Sequence, residues 1–362
     1  MALKVRIEDV AAAAGVSMKT VSRVLNREPN VREDTRVRVQ SAVDKLKYTP
    51  SLSARSLAGN KSYLIALLYN NPSANYLMEI MGGVLEACEL EQYSMMNCPL
   101  EIEFAGCEYS AGCEADPSSM MNCPLIIDER KLIASFESLV ARSQPDGVVL
   151  TPPITDSPAL LKRLAELEIP YASISPKQQS RVGVDMNETR AAADMVDHLV
   201  SLGHRRIAHI VGHPAHGASG WRLTGYRQGL EKAGLRFDSE LVVPGEFSFE
   251  SGVLAAEKLF SLRKRPTAVF AANDDMAAGV IRVALEHKLR VPEDVSVCGF
   301  DDTPMSRYIF PALTTVHQPA HDMGRLATLE LLASIRTPAS GRMLHIPYAL
   351  KVRRSTGPAP KK

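Results

Sequence analysis

The chain has 362 residues, 45% of them hydrophobic, and a formal net charge of +1. That length holds two or three domains of ~100 to 200 residues each and excludes a peptide or a disordered tail. No apolar run reaches the ~18 residues of a membrane span, and the opening MALKVRIEDV lacks an apolar signal core, so a cytosolic protein without membrane contact is expected.

The small net charge hides an asymmetry. Residues 1–61 carry twelve Lys and Arg against six Asp and Glu, or +6, while the rest carries 30 against 35, or −5, so the basic end is the one suited to a polyanion. Within it, IEDVAAAA at 7–14 has helical composition and ends at Gly15; MKTVSRVL at 18–25 is a second short helix with Ser17 as N-cap. Two short helices joined by a turn containing Gly form a helix-turn-helix. Val10, Ala11, Val21, Val24 and Leu25 supply its core, closed by a third helix from Thr35 to Leu46 with Val39, Val43 and Leu46. SLSARSLAG at 51–59 is a further helical candidate between Pro50 and Gly59, too short to persist in water unless something packs on it.

From Ser62 onward short apolar runs alternate with amphipathic helices. LIALLY, DGVVLTP, RIAHIVG, TAVFAA and DVSVCGF read as strands, each followed by a helical segment except the last. Such alternation predicts an α/β fold of parallel sheets with helices on both faces, with ligands bound just beyond the strands' carboxyl ends. Arg222, Asn273 and Asp301 all follow such strands. A guanidinium fork, an amide and a carboxylate are what the vicinal hydroxyls of a sugar need.

One heptapeptide, SMMNCPL, occurs at 94–100 and again at 119–125. The duplication marks residues 101–125 as an insertion, expected to be dispensable for binding, with either copy able to supply the second strand. Five of the six cysteines crowd into 88–123 without a C-x-x-C pair, so neither disulfides, nor a metal, nor any other cofactor is expected. Catalysis is not expected either. Asp274-Asp275 and Asp301-Asp302 could be imagined as acid/base pairs and His204, His209, His213 and His216 as ligands or bases, but the histidine spacings run across strand and loop and point their rings apart.

The string VRIEDVAAAAGVSMKTVSRVLN, then TRVRVQSAVDKLKYTPSLSARSLAG, resembles the headpiece and hinge of the LacI/GalR family of bacterial transcription regulators. The likeness continues through GWRLTGYRQGLEKAG, RPTAVFAANDDMAAGV, LRVPEDVSVCGFDDTP, PALTTVHQP and ALKVRRST, in order, along nearly the whole chain. The resemblance implies an N-terminal helix-turn-helix headpiece (1–50) and a hinge helix with linker (51–61). A type I periplasmic-binding-protein-like core would follow, of two doubly wound subdomains: 62–184 with 319–345, and 185–318 with 346–355. Residues 356–362 are read as a disordered tail. It implies a homodimer on pseudo-palindromic operator DNA, most simply a repressor of carbohydrate-utilisation genes controlled by a sugar or sugar derivative. The alternatives are a periplasmic-type sugar receptor without a DNA role and a nucleobase-responsive corepressor-type regulator.

Carried onto these residues, the resemblance places Met18 and Lys19 in the major groove with Arg23 one turn later. Ser17, Thr20, Asn26 and Arg36 serve phosphates. Arg6 stands where the family usually has a capping Thr, so the cap bond is expected to be absent and Arg6 is a candidate phosphate contact. Leu57, with Ala54 beside it, matches the hinge leucine wedged into the minor groove. In the core it assigns Arg222, Asn273 and Asp301 to the effector, with Trp221 and Phe247 as ring-stacking candidates and Asn75 and Tyr76 on the closing loop. His216 is the position where a purine-responsive relative has Arg, which disfavours a purine. For Asp274 and Asp302, capping or structural hydrogen bonding is the preferred reading.

Overall fold

The computed structural model describes residues 5–25, 30–48, 61–100, 104–105, 126–178, 180–338 and 340–361, with 104–105 and 126–127 as backbone alone. The chain divides into two compact units, Met1–Tyr63 and Leu64–Lys362.

The first unit holds α1 (Ile7–Ala14), α2 (Met18–Leu25) and α3 (Glu33–Leu46). Gly15 ends α1 with φ 65° and no steric cost, and the next amide, Val16 N–H, turns back to the Ala11 carbonyl at 3.0 Å. Ser17 then caps α2, its Oγ accepting from Thr20 N–H at 3.2 Å. Val10, Val21 and Val39 are completely buried at the centre of this unit, and Tyr48, unremarked in the sequence, seals it from below α3. The third helix starts at Glu33 rather than Thr35, because Glu33 and Asp34 suit the positive end of a helix dipole.

The second unit opens with β1 (Leu64–Tyr69), α4 (Ala74–Leu90), β2 (Ser94–Pro99) and a two-residue pair, β3 (Phe104–Ala105) with β4 (Ile126–Ile127). It continues through α5 (Glu129–Ser143), β5 (Gly147–Leu150), α6 (Pro158–Glu166), β6 (Tyr171–Ile174) and β7 (Gly183–Asp185). The chain then crosses to a second lobe: α7 (Glu188–Ser201), β8 (Ile207–Val211), α8 (Gly217–Lys232), β9 (Val242–Pro244) and α9 (Phe249–Ser261). This lobe goes on with β10 (Ala268–Ala271), α10 (Asp274–Glu286), β11 (Ser296–Asp301), α11 (Met305–Tyr308) and β12 (Thr314–His317). A return crossing makes α12 (Ala320–Arg336) and β13 (Met343–His345), and a third ends in β14 (Ala349–Lys351).

The sheet orders are β13-β7-β6-β5-β1-β2 and β14-β12-β11-β10-β8-β9, all parallel except β14. Strand side chains alternate between faces, and helices cover both, which is why the strand sequences read as unbroken apolar runs. Ile65 and Leu67 pack under α4 and α12, whereas Ala66 and Leu68 pack under α5 and α6. In the second lobe Ala208 and Ile210 face α9 and α10, and Ile207 faces α7 and α8.

The first SMMNCPL copy forms β2, running from Ser94 beside Leu64 to Pro99 beside Tyr69. The second copy at 119–125 lies outside the described residues, as does the hinge candidate at 51–59.

The tail corrects the sequence reading. Ser355 is fully buried, Gly357 N–H donates to Ser296 Oγ at 3.0 Å, and Ala359 N–H donates to the Leu202 carbonyl at 2.9 Å. A stretch of small and proline residues without pattern is here held by backbone hydrogen bonds to the edge of the second lobe, so residues 356–361 are ordered.

Helix pairs cross where glycine removes the side chain. A Cβ on Gly83 of α4 would overlap the His321 carbonyl of α12, and one on Gly324 of α12 would overlap the Ile80 carbonyl. Backbone cannot move aside as a flexible side chain can. Gly83→Ala is therefore expected to cost about 2 to 3 kcal/mol, the upper part of the overpacking range, read as a lower urea midpoint at unchanged m; a loss under ~0.5 kcal/mol would show that the helices separate freely.

Candidate functional site

Two surfaces gather the residues singled out in the sequence. On the first unit, Val21 and Val24 of α2 face the core while Ser17, Met18, Lys19 and Arg23 lie exposed on the other side, Met18 at 50% exposure. Thr20 is half-buried, its Oγ1 3.0 Å from Ser17 Oγ. Arg36 is half-buried on α3, 3.5 Å from Glu33. Arg6 occupies the N-cap of α1 without a side-chain cap, as expected, yet Asp9 accepts from Arg6 N–H at 2.7 Å and leaves the Arg6 side chain exposed. Asn26, Ala54 and Leu57 lie outside the described residues.

The second site is a buried cleft in the larger unit. In each sheet the chain winds outward in both directions from the central strands, β1 with β5 and β8 with β10, and the loops beyond their carboxyl ends converge. They enclose about 40 Å³ lined by Tyr76 and Ser175 from one lobe and Glu188, His216, Arg222, Phe247, Asn273, Asp301 and Gln318 from the other lobe and its crossings. Four residues around it, Ser175, Phe247, Asp301 and Asp302, hold positive φ of 45°, 60°, 109° and 58°. Non-glycine residues adopt that region at a cost of ~1 to 3 kcal/mol each, and such strain concentrates at ligand sites.

Arg222 is the centre. Its side chain is 4% exposed and its Nε donates to Glu188 Oε2 at 2.8 Å. Its Nη2 donates to Gln318 Oε1 at 3.1 Å and lies 3.5 Å from Asp301 Oδ1, and Nη1 donates to the Ala272 carbonyl. The guanidinium lies over the Phe300 ring, 3.6 Å from its centroid. Burial pushes the Asp301 carboxyl well above the usual range, opposed by Arg222. His216 stands at the N-cap position of α8 without a side-chain cap bond, its ring against Phe247 with centroids 5.3 Å apart, and burial pushes its pKa down to about 3, so the ring is neutral.

Other expectations are redistributed. Trp221 lies off this cavity, on a neighbouring groove of about 960 Å³ that also holds Lys177, Asp185 and Tyr348. Asn273 lines the cavity, but its amide is committed to protein: Oδ1 accepts from Met276 N–H at 3.0 Å to cap α10, and Nδ2 donates to the Phe247 carbonyl at 2.9 Å. Asn75 reaches across the cleft instead of into it, donating to Asp275 Oδ1 at 3.2 Å beside Ser73, whose Oγ donates to Asp275 Oδ2 at 2.6 Å.

Asp274 accepts from Thr303 N–H at 2.8 Å and Thr315 Oγ1 at 2.6 Å, and burial raises its pKa to about 7. Asp302 accepts from His317, Arg353 and Ser306; against burial, which acts upward, these bonds hold its pKa down to about 2. Both carboxylates are thus tied by hydrogen bonds within the protein.

Glu188, Gln318 and Ser175 are cleft residues that the sequence reading did not single out, and Asp275 was weighed there only as half of an acid/base pair. The signal was present for three of them: Ser175 follows β6, Gln318 follows β12, and Glu188 follows the first crossing, all strand ends of the kind searched elsewhere. Ser175 Oγ is buried without a partner.

A helix-turn-helix with an exposed recognition face, in one chain with a two-lobed core closed over a polar cavity, defines a ligand-responsive DNA-binding regulator. The chain matches the model of bacterial regulatory proteins of the lacI family over residues 6–51 and that of a periplasmic binding protein-like domain over 196–356. It is 32% identical to the HTH-type transcriptional regulator DegA of Bacillus subtilis (strain 168), over 98% of this chain and 99% of that protein. Among solved structures it is similar to the lac repressor dimer bound to operator and the anti-inducer ONPF (26% identity, 98% and 99% coverage, TM-score 0.74). It is also similar to the complex of the transcriptional regulator CelR with cellobiose (29% identity, 97% and 99% coverage, TM-score 0.67). The chain belongs to the lacI family of bacterial regulatory proteins and is a DNA-binding transcription regulator. Among the described residues no helix is long and apolar enough to cross a membrane.

Proposed function

We propose that this regulator is a homodimeric repressor of carbohydrate-utilisation genes whose hold on a pseudo-palindromic operator is set by a sugar bound between the lobes of its core. The carrying observation is the cavity itself: a buried guanidinium, carboxylates, an amide and an unpartnered hydroxyl at the two sheet switch points. Arg222 and Asp301 grip hydroxyls, Gln318, Tyr76 and Ser175 complete the polar lining, and Phe247 and His216 form a wall. Asn273 acts by holding Phe247. The relatives' ligands, cellobiose and the anti-inducer ONPF among them, support a sugar-sized effector. Because a ligand shifts an equilibrium only through unequal affinity for the two states, cross-cleft bonds such as Asp275 to Ser73 and Asn75 are where lobe position is registered.

The test is a sugar panel followed by Trp221 fluorescence and operator release. Trp221 packs near Lys177, whose Nζ donates across the cleft to the Ala215 carbonyl at 2.8 Å, so its emission follows closure. A nucleobase hit with no sugar hit would overturn this reading.

For the DNA face, α2 enters the major groove with Lys19 and Arg23 on guanine edges and Met18 on a thymine methyl; Ser17, Thr20, Arg6 and Arg36 position it on phosphates. Arg23→Ala is expected to weaken specific binding by about 1 to 3 kcal/mol and to relax one base preference per half-site. Equal losses on specific and random DNA in a gel-shift comparison would reassign Arg23 to phosphate.

A further inference from the structure

Resting on the sugar reading, we propose that the cleft takes an uncharged or cationic polyhydroxyl ligand and rejects anionic ones, with Glu188 as the residue that sets this charge selectivity. Among the described residues lining the cavity Arg222 is the sole cation, and it faces two carboxylates, Glu188 at 2.8 Å and Asp301 at 3.5 Å. A third, Asp275, sits at the cleft edge on Ser73 and Asn75. His216 is neutral, and the Lys177 ammonium is bound to the Ala215 carbonyl beside the outer groove.

The geometry of Arg222 adds to the charge count. A site that recognises phosphate or carboxylate presents a guanidinium fork to it for paired hydrogen bonds. Here Nε is held by Glu188, Nη1 by the Ala272 carbonyl and Nη2 by Gln318, so three of the five N–H donors already serve protein acceptors and one on each Nη is left for a ligand hydroxyl. An ionised carboxylate accepts and cannot donate, so Glu188 calls for ligand donors, hydroxyls or an ammonium, while Asp301, its carboxyl pushed up by burial, can also donate to a hydroxyl. Ser175 Oγ, buried and unpartnered, accepts or donates to the same hydroxyls. An added anion would have to displace Glu188 from Arg222 or go unpaired, and is expected to bind about tenfold more weakly than its neutral counterpart.

Matched probes separate charge from size. Calorimetry on the full chain would compare neutral aldoses with their 2-amino derivatives, their phosphates, and hexuronates against the isosteric hexuronamides. The expected result is binding confined to neutral or amino members, each at least tenfold tighter than its anionic counterpart. In Glu188→Gln, which keeps an acceptor oxygen, the gap should close. A phosphate or uronate that binds as tightly as its neutral partner overturns the selectivity, and a gap unchanged in E188Q overturns the role of Glu188. If the variant does not fold, the wild-type pairs decide by themselves. A panel in which no sugar of any charge binds overturns the sugar reading, and this inference with it.

Discussion

Arg222→Ala is expected to abolish the response to effector and to destabilise the core by about 3 to 5 kcal/mol, the cost of breaking a buried ion pair from one side. The substitution leaves Glu188, 2% exposed, and Asp301, 8% exposed, without their countercharge, and it also removes the group lying over Phe300. Asp301 relieves itself by protonation. The Asp301 carboxyl, already pushed up by burial, then has a folded pKa above its unfolded value, so its penalty is complete above the folded pKa and fades as pH falls toward the unfolded one. The variant's deficit in urea should therefore be smaller at ~pH 5 than at ~pH 8. A stable variant that still releases operator on adding sugar would remove Arg222 from the centre of the site.

Truncation after Arg354 is expected to cost on the order of 4 kcal/mol or more, because it orphans several buried polar groups at ~1 to 3 kcal/mol each. Thr314 N–H loses Ser355 Oγ at 2.8 Å, Val297 N–H loses the Ser355 carbonyl at 2.8 Å, and His204 Nε2 loses the Gly357 carbonyl at 3.0 Å. Removing only Lys361 and Lys362 should stay within ~0.5 kcal/mol. Equal thermal midpoints for both truncations would mean the docked tail contributes nothing. The comparison also isolates the tail from the strand β14 before it, which both truncations retain.

What the sequence showed and what it concealed follow the range of the interactions involved. The recognition helix was legible because Val21 and Val24 repeat at helical spacing, and the buried parallel strands because LIALLY, TAVFAA and VSVCGF are apolar throughout. The tail was misread because STGPAPKK has loop composition, while what orders it is pairing with residues far away in the chain. Trp221 was placed beside Arg222 in the site because they are neighbours in sequence; successive residues on a helix point in different directions, and the two side chains face different cavities. Asn273 has the residue type both of a sugar contact and of a helix cap, and the structure uses its oxygen as the cap. Glu188 stands just past a strand end, the kind of position that was searched, but its partner is an arginine 34 residues on, which no local pattern marks.

The three crossings between lobes also govern when the molecule can finish folding during its synthesis. The first sheet begins with β1 but is not complete until β13, and α12, which seals the face that α4 shares, comes after all of the second lobe except β14 and the tail. At about 5 to 20 residues per second, the ~275 residues between Tyr69 and His345 take roughly 15 to 55 s to make. Throughout that interval Ile65, Leu67 and the Gly83 notch of α4 lack the helix that covers them. The DNA-reading headpiece, contiguous in the first 48 residues, has its own core from the outset. A nascent chain can thus present a folded headpiece on the ribosome well before it owns an effector site, and the exposed α4 face is where a chaperone would be met.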